Sequence, residues 1–278
     1  MLRALLVALA LAAPAAPTYT PQVGQSGKDV IWVPTPDELA ERMLTMAQVG
    51  PADQVIDLGS GDGRLPILAA QKFGATARGI EYNAELVALS QQRARAAGLT
   101  DRQVRFERGD LFKLDLRSAT VITLYLLPAL NRRLRPILLS LRPGTRVISH
   151  QFHMDDWTPD ETSYFEQRGA FLWIVPAQVA GGWQLHTSDG TDLALDLEQE
   201  FQRLKGRAEF GLTTSAPASV IKAGLRDPTL RGDLLRFELV DLQGRLLTFV
   251  GRIAGERMTG SVTGPTGTTS WTATRRSP

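Results

Sequence analysis

A glycine-rich turn that directly follows a short apolar segment constrains this chain more than any other feature of its sequence. The segment Gln54–Leu58 is followed by glycine at positions 59, 61 and 63, and helical character begins at Leu65. A buried strand that runs through such a turn into a helix is the first unit of a doubly wound sheet. Small residues and the free N–H groups of the helix start make a ligand site there. The pattern therefore predicts an α/β fold with a ligand at the end of its first strand.

The residues on either side of this turn alternate between helical and strand-like patterns. The predicted helices and strands follow each other at residues 37–44, 54–58, 65–72, 77–81, 84–97, 104–108, 119–126, 129–141 and 146–150. Strands that alternate with helices form βαβ units. We therefore predict a doubly wound, Rossmann-like and mostly parallel sheet within a domain at residues 29–176.

The pattern changes at about residue 177. Helical periodicity stops, and short alternating segments separated by glycines follow at residues 182–186, 193–197, 235–239 and 247–253. Residues 241–244 and 254–257 have the composition of hairpin turns. We therefore predict an all-β antiparallel meander, a small barrel or sandwich, at residues 177–278, with Trp157 packed between the two halves.

The first residues have the pattern of an export signal. A short basic start is followed by an apolar run at residues 4–13 and by small residues at 13–15. The run is too short to cross a bilayer. We expect a signal peptide at residues 1–16, a flexible linker at 17–28, an exported or periplasmic product and no transmembrane span in the mature chain. A wrongly assigned start site would instead leave a cytoplasmic product.

Composition excludes several classes of site. The chain has 278 residues and no cysteine, so it has no disulfide framework, no thiolate nucleophile and no cysteine-bound metal. His150 and His153 have no third histidine or cysteine nearby, and only Asp155 and Asp156 could add ligands, so no metal site is predicted. The formal net charge is only +2, and the basic residues are spread along the chain. A nucleic-acid partner is therefore not predicted, because such proteins concentrate basic side chains in a patch.

Three acidic residues stand at or just beyond the ends of successive predicted strands: Asp57, Glu81 and Asp110. Asp57, two residues before the first glycine, would repel a pyrophosphate and suits a ligand with an ammonium group. An acid in the position of Glu81 hydrogen-bonds ribose hydroxyls in doubly wound folds. Asp110 is placed to accept from an adenine amino group, with Leu111 against the ring. Together they predict a site for a cationic adenosine.

These segments resemble a known family. Residues 57–64, 79–81 and 109–112 are similar to the cofactor motifs of class I S-adenosylmethionine-dependent methyltransferases. Residues 32–36, 124–128 and 146–152 are similar to a subgroup of protein-lysine methyltransferases, which includes the small mitochondrial enzymes acting on the ATP-synthase c-subunit and the adenine-nucleotide translocase. The resemblance covers residues 29–176. It implies S-adenosylmethionine as cofactor, bound by Asp57, Gly59, Ser60, Gly61, Asp62, Gly63, Glu81, Asp110 and Leu111.

The resemblance also implies an in-line transfer of the sulfonium methyl group to a neutral nucleophile, without a metal. A lysine amine has a pKa near 10.4, so its pocket must favour the deprotonated form by desolvation or by the nearby sulfonium charge. Tyr125 is the candidate catalytic residue, because ligands bind at the carboxyl ends of such strands. Pro34, Thr35, Tyr125 and His150 are the candidate residues of the substrate pocket.

Three functions remain open at this point. The first is methyl transfer to a protein lysine, and the second is methyl transfer to a small molecule or lipid that the β-rich half helps to enclose. The third is a non-catalytic exported binding protein on a methyltransferase scaffold. Intact Asp57, Glu81 and glycines favour an enzyme over such a scaffold.

Overall fold

The protein is built around two separate β-sheets. The structure, a computed structural model, describes residues 19–210 and 221–276. The predicted signal peptide at residues 1–16 lies outside the described residues. None of the described helices is long and apolar enough to cross a membrane.

In residues 19–210 and 221–276, the first sheet has seven strands and four accompanying helices. Its strands lie in the order β3-β2-β1-β4-β5-β7-β6. The elements are α1 (Asp37–Met46), β1 (Gln54–Leu58), α2 (Arg64–Phe73), β2 (Thr76–Glu81), α3 (Ala84–Ala96), β3 (Val104–Arg108), β4 (Val121–Leu124), α4 (Pro128–Leu139), β5 (Arg146–His150), β6 (Glu161–Phe165) and β7 (Arg168–Ile174).

Strands β1 to β5 are parallel to one another, and the chain order reverses beside β1. Strand β1 pairs with β2 on one side and with β4 on the other, and both pairings are parallel. Ligands bind at such a switch point, beyond the carboxyl ends of the strands. The predicted doubly wound, mostly parallel sheet is confirmed.

Strands β6 and β7 are absent from the sequence-based prediction. They form an antiparallel hairpin at the edge of the sheet, next to β5. Hairpin turns are usually recognised by glycine or asparagine, which tolerate positive φ. Here Glu166 and Gln167 take φ values of 46° and 66°, so the usual signal is missing.

Within the described residues, the second sheet has nine antiparallel strands and forms a nearly closed barrel. Its strands are β8 (Gly181–Thr187), β9 (Asp192–Glu200), β10 (Arg203–Phe210), β11 (Ile221–Gly224), β12 (Arg226–Arg231), β13 (Leu234–Val240), β14 (Leu246–Ala254), β15 (Arg257–Gly264) and β16 (Gly267–Arg275). They lie in the order β11-β10-β9-β8-β16-β15-β14-β13-β12. Alternate side chains point inward and bury Trp183, Phe237, Phe249 and Trp271 in the core of the barrel. The predicted β-rich half is confirmed.

Trp157 connects the two sheets. Its indole Nε1 donates to Gln202 Oε1 at 3.0 Å, and its ring stacks on Phe201 with centroids 6.1 Å apart. The carbonyl of Trp157 accepts from Trp173 Nε1 at 2.7 Å, on β7. Trp157 is completely buried, as predicted for a residue packed between the halves.

Candidate functional site

A cavity lies at the carboxyl edge of the first sheet, where β1, β2, β3 and β4 end. Its walls come from the glycine-rich turn, from the residues that follow β2 and β3, from Tyr125 after β4, and from residues 25–35. The structure brings together nearly all of the residues predicted for the site, which stay predictions as ligand contacts: Pro34, Thr35, Asp57, Gly59, Ser60, Gly61, Asp62, Glu81, Asp110, Leu111 and Tyr125. Gly63 and His150 do not line the cavity.

Two glycines of the turn, Gly61 and Gly63, leave room for different neighbouring side chains. Gly59, Gly61 and Gly63 all have positive φ, which side chains rarely tolerate. A Cβ on Gly61 would lie 2.6 Å from Trp32 Nε1, at the cavity wall. A Cβ on Gly63 would instead lie 2.7 Å from Phe106 Cζ, on β3. Gly63 was predicted as a cofactor contact, but the structure requires glycine there for packing beneath the cavity.

Asp57 is a buried carboxyl group without a cationic partner among the described residues. It is 3% exposed, and its Oδ1 accepts from Thr123 Oγ1 at 2.6 Å. Burial raises the pKa of Asp57 to about 7, and the nearby Glu81 and Asp62 charges add to the shift. A cation bound here would relieve this cost, so the site fits a ligand with an ammonium group.

Asp62 is neutralised by the protein itself. Its Oδ2 accepts from Arg64 Nη2 at 2.8 Å and from Arg93 Nη1. Burial alone would raise the pKa of Asp62, but the two guanidinium groups outweigh it and hold the pKa below its usual value. The carboxylate of this predicted cofactor residue therefore ties the glycine-rich turn to α2 and α3.

Glu81 and Asp110 have fixed carboxylates at the ends of β2 and β3. Glu81 Oε2 accepts from Gly61 N at 3.0 Å, and its Oε1 accepts from Asn83 N at 2.9 Å. Asp110 Oδ2 accepts from Lys28 Nζ at 3.0 Å, and this hydrogen bond holds the pKa of Asp110 below its usual value. Both carboxylates keep lone pairs for ribose or adenine groups.

Residues 22–35 form a strap over the cavity. Gly24 N donates to Trp32 O at 2.9 Å, and Trp32 N donates to Gln25 O at 2.9 Å, so part of the strap is a small hairpin. Residues 25–28, predicted as the end of a flexible linker, instead line the cavity. Lys28 is a further residue of the site that could not be recognised from sequence, because nothing in its neighbourhood distinguishes it from a linker lysine.

Tyr125 lines the cavity just beyond the end of β4, whereas Asp110 lines it beyond the end of β3, three strands away in the sheet. His150 lies behind Tyr125, with ring centroids 3.8 Å apart, and Phe152 stacks with it at 6.1 Å. Burial lowers the pKa of His150 to about 4, so its imidazole is neutral near pH 7. His150 was predicted to line the substrate pocket, but it supports the wall from behind because it ends a buried strand.

The site can hold a cationic adenosine and present its charged centre to an aromatic wall. A doubly wound sheet whose strands end in a glycine-rich turn and three carboxylates at its switch point agrees with the predicted class, the class I S-adenosylmethionine-dependent methyltransferases, and the comparisons with known proteins show this class. The ANTKMT methyltransferase domain matches residues 57–161 of the chain. The chain belongs to this family of methyltransferases, because it also covers most of a relative that is 42% identical.

That relative is a protein-lysine N-methyltransferase from Saccharolobus islandicus. The 42% identity extends over 134 residues, which are 48% of this chain and 83% of the relative. The adenine nucleotide translocase lysine N-methyltransferase of mouse is 35% identical over 141 residues, 50% of this chain and 56% of the relative. The chain thus spans about half the length of that mouse relative.

A solved structure from Salinibacter ruber has the same fold as about half of this chain. It is described as an RNA methyltransferase in complex with S-adenosylhomocysteine. It is 47% identical, has a TM-score of 0.52, and matches 53% of this chain and 96% of that chain. The demethylated product of S-adenosylmethionine therefore binds to a close relative, which agrees with the predicted cofactor.

Proposed function

We propose that this methyltransferase transfers the methyl group of S-adenosylmethionine to a lysine side chain of a protein. The observation that carries the proposal is the family match: the ANTKMT methyltransferase domain matches residues 57–161, which include Asp57, Glu81 and Asp110, and a protein-lysine N-methyltransferase is 42% identical over 134 residues. The geometry of the described residues supports the proposal in three further ways. These are the cofactor site, the wall of Pro34 and Tyr125 that would face the acceptor (the acceptor wall), and the charges near the cavity.

The described residues of the cavity fit S-adenosylmethionine. Asp57 would bind its ammonium group, Glu81 its ribose hydroxyls, and Asp110 with Leu111 its adenine. When bound, this cofactor supplies an electrophilic methyl group on a sulfonium. Asp57 is ionised by the ligand's positive charge, while Glu81 is already oriented by two backbone N–H groups.

The acceptor wall favours a neutral amine. Pro34 and Tyr125 line the cavity, and the neutral His150 lies behind Tyr125. Burial raises the pKa of Tyr125, so its phenol stays protonated near pH 7. A lysine ammonium group that enters beside Pro34 and Tyr125 loses its hydration and finds no carboxylate partner in this wall. Its pKa therefore falls. A deprotonated lysine amine is the form that attacks a methyl group.

The charges near the cavity favour a protein over a nucleic acid. Lys28 and Arg132 lie on segments that line the cavity, and they pair with the acidic side chains of Asp110 and Asp155 respectively. Nucleic-acid binding depends on basic groups that are free to neutralise phosphates. RNA, which the description of the Salinibacter protein names, is therefore the competing acceptor to be tested.

The test is a labelling experiment with extracts. Purified protein and methyl-labelled S-adenosylmethionine are incubated with envelope and cytosolic extracts of the source cells, beside the Glu81→Ala variant. We expect a labelled protein band that yields methyl-lysine on acid hydrolysis, and no band with Glu81→Ala. Leu246→Ser, on the exposed surface of the barrel, is the matched control and should label as well as the unmutated chain.

The position of the label decides between the acceptors. Label that ribonuclease removes would identify RNA as the acceptor and contradict the lysine proposal. Label found only in the solvent-extractable fraction would identify a small molecule or lipid. A chain that binds S-adenosylmethionine in calorimetry but labels no fraction would support the non-catalytic alternative.

We also propose that the protein is exported, on the pattern of residues 1–13 alone. Cell fractionation with an antibody to the barrel tests this, with a cytosolic and a periplasmic marker as controls. Recovery of the protein in the cytosolic fraction would contradict export.

A further inference from the structure

One hydrogen bond joins the strap over the cavity to the elements behind the acceptor wall. Thr35 Oγ1 lies 3.0 Å from His150 Nδ1, and the two residues are only 4% and 2% exposed. The carbonyl of Thr35 also accepts from Arg64 Nη1 at 2.7 Å, at the start of α2. The end of the strap is therefore held between the glycine-rich turn and β5.

His150 in turn packs against Tyr125. Their ring centroids are 3.8 Å apart with an angle of 35° between the ring planes. The second ring beside Tyr125, Phe152, belongs to a segment held by Asn131 Nδ2, which donates to the carbonyls of Phe152 and His153 at 3.3 and 3.2 Å. Tyr125 thus contacts one ring anchored to α4 and another anchored to the strap.

The other nitrogen of His150, Nε2, is buried and has no hydrogen-bond partner in the described structure. A neutral imidazole carries its proton on only one nitrogen. A buried N–H without an acceptor is rarer than a buried acceptor without a donor. The proton therefore belongs on Nδ1, which donates to Thr35 Oγ1, and Thr35 selects the tautomer of His150.

We propose that Thr35 and His150 are a pair of positioning residues that couple cofactor binding to the acceptor wall. A cofactor that orders the strap fixes Thr35, Thr35 fixes the orientation and tautomer of His150, and His150 fixes the ring of Tyr125. The effect of this pair on methyl transfer rests on the proposed function, whereas the coupling of cofactor binding to His150 does not require an acceptor.

The coupling is measurable because the chain has only three histidines. Protein labelled with ¹⁵N-histidine is titrated with S-adenosylhomocysteine, and the His150 signals are assigned from their loss in His150→Asn. We expect the Nδ1-protonated neutral form in the free protein and a shift of both ring signals on binding. His150 does not line the cavity but contacts Tyr125 and Thr35, which do, and the Thr35→Val variant separates a shift carried by Thr35 from one carried by Tyr125.

Thr35→Val removes the hydrogen bond with little change in shape, and Thr35→Ser is the matched control that retains it. In Thr35→Val we expect a dissociation constant for S-adenosylhomocysteine within about threefold of the unmutated value, but no ligand-induced shift of His150. Thr35→Ser should restore the shift. An unchanged shift in Thr35→Val would overturn the coupling, and so would a collapse of affinity, which would make Thr35 a ligand contact.

The rate of labelling provides the second measurement. At saturating S-adenosylmethionine, Thr35→Val should lower kcat about tenfold while leaving the cofactor KM nearly unchanged, because misplacement costs rate rather than binding. Normal kcat in Thr35→Val would overturn the positioning role. If the unmutated chain labels no protein, the proposed function fails, whereas the ¹⁵N titration still decides the coupling.

Discussion

Replacing the buried carboxyl group of Asp57 by an amide should make the ligand-free protein more stable at alkaline pH. Asp57→Asn keeps the acceptor for Thr123 Oγ1 and removes the charge. In the folded protein the pKa of Asp57 is raised from 3.8 to about 7, chiefly by burial. The folded state therefore holds this proton more tightly than the unfolded state, so stability decreases as the pH rises from about 4 to 7.

The size of the effect follows from the two pKa values. Between pH 5 and pH 8, the shift from 3.8 to about 7 costs the unmutated protein about 2.5 kcal/mol in free energy of unfolding. Asp57→Asn does not titrate and avoids this loss. The stability advantage of the variant should therefore grow by that amount from pH 5 to pH 8, while its affinity for S-adenosylmethionine falls.

The assay is urea unfolding of the ligand-free protein at both pH values, followed by tryptophan fluorescence. Asp62→Asn is the matched control, because Asp62 is buried but paired with two arginines. It should destabilise the protein by nearly the same amount at pH 5 and at pH 8, since its pKa is lowered and both pH values lie above the usual pKa of an aspartate. A stability difference between Asp57→Asn and the unmutated chain that does not change with pH would refute the reasoning.

Three further predictions concern ligand affinity and packing. Since the ammonium group of the ligand pairs with ionised Asp57, calorimetry should show S-adenosylhomocysteine binding about 30-fold more weakly at pH 5.5 than at pH 8. A dissociation constant that does not change with pH would contradict the assignment of Asp57 to the ammonium group. Gly61→Ala should abolish detectable binding of S-adenosylhomocysteine, because its Cβ meets Trp32 at the cavity wall. Gly63→Ala should instead lower the melting temperature, because its Cβ meets Phe106 beneath the cavity. Equal losses of affinity in the two variants would contradict these different roles. Trp157→Ala should cost about 3–5 kcal/mol of stability in urea unfolding, with Gln202→Ala as the milder comparison; a loss below that of Gln202→Ala would mean that the junction is loosely packed.

The first sheet could be predicted closely where apolar segments end at glycines or charges. Strands β1, β3 and β5 have the predicted bounds, because each is a short apolar or alternating segment with an abrupt end. Strand β4 is shorter than predicted, Val121–Leu124 instead of 119–126, because apolar residues continue into the cavity wall. Apolar character alone does not separate a strand from the wall of a site.

The site could be predicted where its residues are local to the turn and the strand ends. What sequence could not show is which polar groups are already satisfied by partners far along the chain. Asp62 depends on Arg93, Asp57 on Thr123 and Asp110 on Lys28, and these pairings exist only after the sheet has formed. The positions of the strap and of His150 depend on such distant partners too, because Thr35 contacts Arg64 and His150.

The short connection between the two sheets has a consequence for how the protein evolves and is engineered. Val175, Ala177 and Val179 are buried there, and their backbone N–H groups donate to Thr145 O, Gly232 O and Gln199 Oε1. A cut after residue 176 would remove Phe201 and Gln202 from Trp157. The barrel therefore completes the cover of one buried tryptophan in the catalytic half, so a chain truncated at residue 176 should lose stability rather than behave as a free-standing module.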